Sequence, residues 1–446
     1  MKRKDQNKGI TLVALVITII VLLILAGVAI NMAINSDGLF TKANEASQRW
    51  NESVKEESQT IDNLLLEMGI INWEKSMAEA VAPASQDEER NNGVVGIGTD
   101  GKPVDMDLWL YAMDSKTGGY GLNSAEVLNN EENGGTGTTK VTMTGYLGTI
   151  SENGEIQGKV PAYIKGTDGK WVAVTSLYKT FQGNATNNEQ IANLTVAPVL
   201  PETVKNMMAT FASSKITRMP EIPNKVTNMT SAFFGCTMLD STTIVPKSVQ
   251  TMDYAFYGCT SLKKTPQLSE GVTSMIQAFI GCTNLNEITN LPDSVIDMTR
   301  TFENCTSLQN VKKLPANVQS LESTFHTCTS LKSSPEIPNG VISMMATFSG
   351  CTSLEKGPQV IPSSVTNLYA AFNNCAKLEG TMEINAIIDE SIIVQEWEEY
   401  DFTGSDRVFL NACAEGNGLT ILKTSTIPTD IINKWTSSNS KVTLEQ

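Results

Sequence analysis

The sequence predicts an N-terminal transmembrane and stalk α-helix, then a β-rich solenoid of about nine 23-residue coils, then a C-terminal cap. Three observations carry that fold class. Phenylalanine recurs at Phe181, Phe211, Phe233, Phe256, Phe279, Phe302, Phe325, Phe348 and Phe372, and every step from Phe233 to Phe348 is 23 residues. Residues 10–30 are uncharged and interrupted only by Thr11, Thr18 and Gly27. The repeat period is lost from about Gly380 onward.

Bulk composition bounds the answer. A chain of 446 residues, 41% hydrophobic, has room for two or three domains and a sizeable core. A formal net charge of −15 argues against a nucleic-acid partner, whose phosphates need a basic patch. Aromatics are sparse at 6%, while Gly, Thr, Ser and Asn abound, as in a turn-rich chain.

Residues 1–9, MKRKDQNKG, form a basic leader with Lys2, Arg3, Lys4 and Lys8 against Asp5. The transmembrane helix is assigned to 10–35. Its apolar run of 21 residues reaches about 30 Å, the thickness of a bilayer's hydrocarbon core. It exceeds the roughly 7–15 residues of a secretory signal's apolar region, although Ala26, Gly27 and Ala29 leave conventional cleavage open. The positive flank keeps the N-terminus cytoplasmic and sends the bulk across, giving a single-pass membrane protein with extracellular repeats. Residues 36–81 continue as an amphipathic stalk, with Leu39, Ala43, Ala46, Trp50, Val54, Ile61, Leu64, Leu65 and Met68 on one face. Whether that face meets a partner helix or its own domain is left open. The stretch 82–93, APASQDEERNNG, has linker composition. Residues 94–172 alternate short apolar runs with Gly-rich turns and read as strands and hairpins leading into the repeats.

The junction Lys8-Gly9-Ile10, followed by the long apolar helix, resembles the class III signal of type IV prepilins and pseudopilins. The resemblance implies cleavage after Gly9 by a prepilin peptidase, with Ile10 the methylated first residue of the mature chain. The family usually has Phe at that position. It also commonly carries a glutamate at the fifth mature position, where this chain has Ala14. A buried carboxylate in lipid is kept only for a job, so its absence argues against a place in a filament shaft.

Within residues 173–380 a Val lies seven residues before each Phe, and a Met or Leu four before. Thus Val226, Met229, Phe233, Cys236 and Leu239 recur as Val249, Met252, Phe256, Cys259 and Leu262. Such a period marks stacked coils, each burying its apolar side against the next. Pro-containing corners such as Glu221-Ile222-Pro223 are expected to end each coil's extended segment. The motifs SVTxM, AFxGCTSL and xxxPxIP resemble the BspA-like leucine-rich repeats of bacterial cell-surface proteins. That resemblance implies a leucine-rich-repeat solenoid displayed for adhesion or ligand binding, on a Gram-positive cell surface.

Seven of the eight cysteines lie in the repeat, from Cys236 to Cys375, none closer than 23 residues; Cys413 stands alone. Zinc-like pairing is absent from that spacing, and the cysteines read as small buried hydrophobes. His326 is the sole histidine and is expected to be an isolated surface residue. Glu396, Glu398, Glu399 and Asp401 read as a solvated charge run, and Gly96-Ile97-Gly98 as a turn. Within one coil, Gln277 and Ile280 are expected to face outward. Residues 381–446 read as the cap, with INAIIDESIIV a strand, PTDIINKW a short helix and SKVTLEQ a last strand. No catalytic, cofactor or metal site follows, so the chain is expected not to be an enzyme.

Two functions fit. One is a membrane-anchored adhesin with an unidentified protein or glycan ligand on a host or matrix. The other is a minor pilin or pseudopilin, including a tip subunit, of a type IV pilus or type II secretion system. N-terminal sequencing of the protein from its native host should return Ile10 first; a start near Asn31 would mean ordinary signal cleavage and remove the prepilin reading.

Overall fold

A computed structural model of the chain describes residues 95–114, 140–165, 171–183, 189–388, 393–395, 401–403, 407–422 and 427–445. The leader, transmembrane helix, stalk and linker lie outside the described residues, as do Gly9 and Ile10. Among the described residues no helix is long and apolar enough to cross a membrane.

A β-rich fold with a repeating core is what forms. The region before the repeats makes an antiparallel sheet in the order β2-β1-β5-β6, from β1 (Val95–Ile97), β2 (Pro103–Val104), β5 (Tyr163–Lys165) and β6 (Trp171–Ala173). Gly96 and Ile97 therefore belong to a strand. Only Gly98 opens a turn, its carbonyl accepting from Gly101 N–H at 3.0 Å. A hairpin of β3 (Trp109–Asp114) and β4 (Lys140–Tyr146) supplies Trp109, Met143 and Tyr146, all buried. The Tyr146 hydroxyl accepts from Gln157 N–H at 2.6 Å, which fixes the ring.

The coils are not built from long strands. In the coil around Phe233, alternate residues donate in alternate directions. Met229, Ser231, Phe233 and Gly235 N–H reach the next coil's Thr251, Asp253, Ala255 and Tyr257 carbonyls at 2.7–2.9 Å. Ala232, Phe234 and Cys236 N–H instead return to Met229, Ser231 and Phe233 carbonyls of their own coil, at 3.0 Å. Each coil is thus a run of linked turns whose other donors form a parallel ladder, so its donors are satisfied without a strand. This replaces the extended segment expected from the sequence. The corner is also a turn: Val226 N–H donates to Pro223 carbonyl at 3.1 Å, using the one backbone group proline offers.

Alternate turns place their third residue at positive φ, as type II turns require. The residue two after the phenylalanine supplies this cheaply as Gly235, Gly258, Gly281 and Gly350, at φ 67–73°. The residue two before is also left-handed yet carries a side chain, including Tyr254, Gln277 and Arg300 at φ 53–56°. That conformation costs roughly 1–2 kcal/mol per residue, held here by the ladder on both sides.

The core is a set of columns. Ten phenylalanine rings stack with centroids 5.1–5.9 Å apart and planes within 15°. The tenth is Phe409, which continues the stack from within the region assigned to the cap. Its place was missed because the residues after Phe372 break the 23-residue step. Tryptophans close both ends edge-on: Trp109 lies 6.0 Å from Phe181 at 85°, and Trp435 lies 5.6 Å from Phe409 at 79°. A solenoid's last coil would otherwise expose the apolar face meant for a neighbour.

Trp435 sits on α1 (Thr429–Ser438), which precedes β14 (Val442–Leu444), as the sequence suggested. Between coils, β7 (Ile244–Val245) pairs in parallel with β8 (Gln267–Leu268). Strands β9 (Val360–Ile361), β10 (Glu379–Ile384), β13 (Gly418–Leu422) and β14 form a parallel sheet in the order β14-β13-β10-β9. Ile384 ends β10, and residues 385–388 are not strand; β11 (Ile393–Gln395) pairs instead with β12 (Asp401–Thr403).

All eight cysteines are buried. Each thiol of the repeat donates to the preceding coil's phenylalanine carbonyl, as Cys282 Sγ does to Phe256 at 3.1 Å. Burial raises these thiols, Cys236 up to about 12, so they stay protonated and poorly nucleophilic. Buried threonines are satisfied the same way: Thr301 Oγ1 donates to Met275 carbonyl at 2.8 Å.

Phe279→Ala should cost about 3–5 kcal/mol, because it opens a gap in a fully buried stack, whereas Cys282→Ala should cost about 1–2 kcal/mol. Denaturant unfolding of both variants measures the difference. Equal costs would place the stabilisation outside the ring column.

Candidate binding face of the coils

The side chains two before and one after each buried phenylalanine lie close together on one side of the coil, some of them buried. Contact between Arg300 Nε and Glu303 Oε2 at 2.6 Å shows that pairing directly. Along nine coils the pairs read Lys179/Gln182, Ala209/Ala212, Ser231/Phe234, Tyr254/Tyr257, Gln277/Ile280, Arg300/Glu303, Ser323/His326, Ala346/Ser349 and Ala370/Asn373. Large aromatic and planar polar groups therefore gather on five consecutive coils. Alanines bound them on one side at Ala209 and Ala212, and Ala346 follows on the other.

Within this band neighbours brace one another across coils. The Phe234 and Tyr257 rings stack at 4.8 Å and 15°. Gln277 Nε2 donates to the Tyr254 hydroxyl at 3.1 Å. Asp253, beside Tyr254, accepts from Ser274 Oγ at 2.6 Å and Ile276 N–H at 2.9 Å. Burial pushes the Asp253 carboxyl above its ordinary value, even against those hydrogen bonds. Gln277 and Ile280 do not face outward as expected: they are only 8% and 5% exposed. Flanking coils at this short spacing cover a side chain that a single coil would leave in solvent.

His326 is not isolated either. Its Nδ1 lies 3.4 Å from Glu303 Oε1, while Arg300 holds the other oxygen. Glu303 is 8% exposed and sits between the two basic groups. Burial pushes its carboxyl up, but hydrogen bonds from His326 and Arg300 and their charges outweigh that, leaving it below the ordinary glutamate value. Sequence reading missed this because Glu303 and His326 are 23 residues apart and meet only when coils stack.

A concavity of about 430 Å³ lies where the segment around Ile156 and Lys159 meets the loop Val196–Pro201. Val199 on its lining is 86% exposed. Lys159 pairs with Asp100 at its rim. Among the described residues no group of three or more His, Cys, Asp or Glu is placed to hold a metal. Of the acidic run, Glu396, Glu398 and Glu399 lie outside the described residues, and Asp401 begins β12.

Because Glu303's folded pKa is depressed, its contribution is present above the ordinary glutamate value and lost as pH falls through the folded one. Glu303→Gln should therefore lower Tm at pH 7, with the gap to the wild type narrowing at pH 3. Thermal melts at both pH values decide it; an unchanged gap would deny the ionised cluster a stabilising role.

The chain is similar, at 17% identity and a TM-score of 0.36, to a leucine-rich repeat protein from Bacteroides ovatus, over 72% of this chain and 98% of that one. It is also similar, at 16% identity and a TM-score of 0.31, to a leucine rich cell surface protein from Faecalibacterium prausnitzii, over 74% and 95%. No curated protein matches the chain. Residues 186–275 and 253–379 match the BspA type leucine rich repeat region, in six copies.

Proposed function

We propose that the chain is a membrane-anchored surface protein, not an enzyme, whose stacked coils present a binding face for adhesion to a protein or glycan ligand. One observation carries this reading: the bounded band of braced aromatic and polar side chains on coils 231–326. A purely structural repeat has no need of variation on that face, and the columns beneath it barely vary. Aromatic rings and arginine dominate binding energies at recognition surfaces, and groups already held by neighbours lose little freedom on binding. The BspA-type match supports the reading, as does the leader and apolar run that would place the coils outside the cell.

A second reading keeps one specific support. The Lys8-Gly9-Ile10 junction favours a minor pilin or pseudopilin, in which the coils would be carried at a filament tip. Ala14 stands against a shaft position.

Replacing Phe234, Tyr254 and Tyr257 together with serine, the residue that Ser349, Ser231 and Ser323 place in equivalent positions, tests the first reading. Thermal unfolding should stay cooperative while attachment of expressing cells to host cells or matrix falls. Unchanged attachment, together with co-purification of pilus subunits, would transfer the assignment to the second reading.

A further inference from the structure

We propose that the exposed column six residues before each buried phenylalanine is a self-association face, on which a second copy of this chain packs antiparallel about a two-fold axis at Gln319. The inference is independent of the binding-face reading above, because the two sets of side chains occupy different positions of the coil.

The backbone sets this column straight. Gln250, Thr273, Ile296, Gln319, Ile342 and Thr366 N–H each donate to the carbonyl of the counterpart one coil earlier, at 2.8–2.9 Å. The side chains therefore stand in one row, about 4.8 Å apart. Thr273 and Thr366 Oγ1 donate to the Gln250 and Ile342 carbonyls at 3.2 and 3.4 Å, so their hydroxyl hydrogens are committed within the row. Ile296 and Ile342 stand 42% and 49% exposed.

The order of the row selects the occupant. Along the stack it reads Thr273, Ile296, Gln319, Ile342, Thr366, the same in both directions about Gln319. A two-fold interface applies one patch to itself, so such symmetry in a single row is what it needs. With the stacks antiparallel, Ile296 meets Ile342 of the second copy and Thr273 meets Thr366. Gln319 meets its own counterpart, and its amide both donates and accepts.

Charge is the second argument. At −15, two copies repel each other, and contact is cheapest where charge is absent. The row holds no charged residue from Thr227 to Thr366. In the adjoining column, from Asn228 to Asn367, Asp297 is the one acid, and antiparallel packing sets it opposite Ser343 instead of a second acid. The corners of the same coils carry charge instead, as in the Lys264–Glu287 pair at 2.9 Å.

Area sets the strength. Five coils span about 20 Å, and a strip of that length buries less than the roughly 800 Å² per partner of a standard interface. The dimer is therefore weak and reversible.

Sedimentation equilibrium of the full chain in detergent, between roughly 1 and 100 µM, should show a monomer–dimer equilibrium. Ile296→Lys with Ile342→Lys, at two exposed positions, should keep cooperative unfolding and weaken association by about tenfold or more. Disulfide cross-linking reads the orientation. Ile296→Cys mixed with Ile342→Cys should form a covalent dimer, as should Gln319→Cys alone, whereas Ile296→Cys alone should not. The native thiols are buried and do not compete. A monomer throughout, association untouched by the lysine variant, or Ile296→Cys joining preferentially to itself would overturn the proposal. If the lysine variant fails to fold, the cysteine pairs decide alone.

Discussion

The stacking of one coil on the next governs everything else in this protein. A single coil is a chain of turns with half of its backbone donors pointing away from itself. Its phenylalanine, cysteine and leucine share one side too thin to bury them. Only a second coil supplies both the carbonyls at 2.7–2.9 Å and the apolar cover. Backbone satisfaction and side-chain burial are thus met by the same neighbour, so stability is a sum of nearly identical contacts between adjacent coils.

That dependence explains why the core columns are so uniform. A ring at Phe279 must match Phe256 on one side and Phe302 on the other, at 5.1 and 5.5 Å. A different shape would be felt twice. Cysteine fits its column because the thiol is small and can donate weakly to the preceding coil's carbonyl, whereas threonine at the adjoining buried position does the same with a hydroxyl. Both polar hydrogens are absorbed by the backbone, which leaves a core with few unmet demands. The ends need different chemistry, and Trp109 and Trp435 meet it by turning an edge toward the last ring instead of a face.

The same stacking releases the opposite side for other uses. Positions two before and one after the phenylalanine take no part in the ring column, so tyrosine, glutamine, arginine and isoleucine all occur there. Yet those side chains are not independent. At coil spacing counterparts meet, as Phe234 does Tyr257, Tyr254 does Gln277 and Glu303 does His326, and unrelated residues become braced pairs. Arg300, Glu303 and His326 show the result: three residues from two coils meet around one buried carboxylate.

The sequence by itself determined the period, the column identities, the burial of the cysteines and the closing helix and strand, because each of these repeats locally or follows from spacing along the chain. It could not determine which outward residues would be covered. Gln277 and Ile280 are buried, and His326 is paired, because of atoms 23 residues distant that only the ladder brings near. Nor could it place Phe409, since the interruption after Phe372 erases the period while leaving the ring free to rejoin the stack. Periodicity reports what every coil shares; what differs between coils acquires meaning only from the neighbour it lands beside, and that is fixed by the stacking of the folded chain.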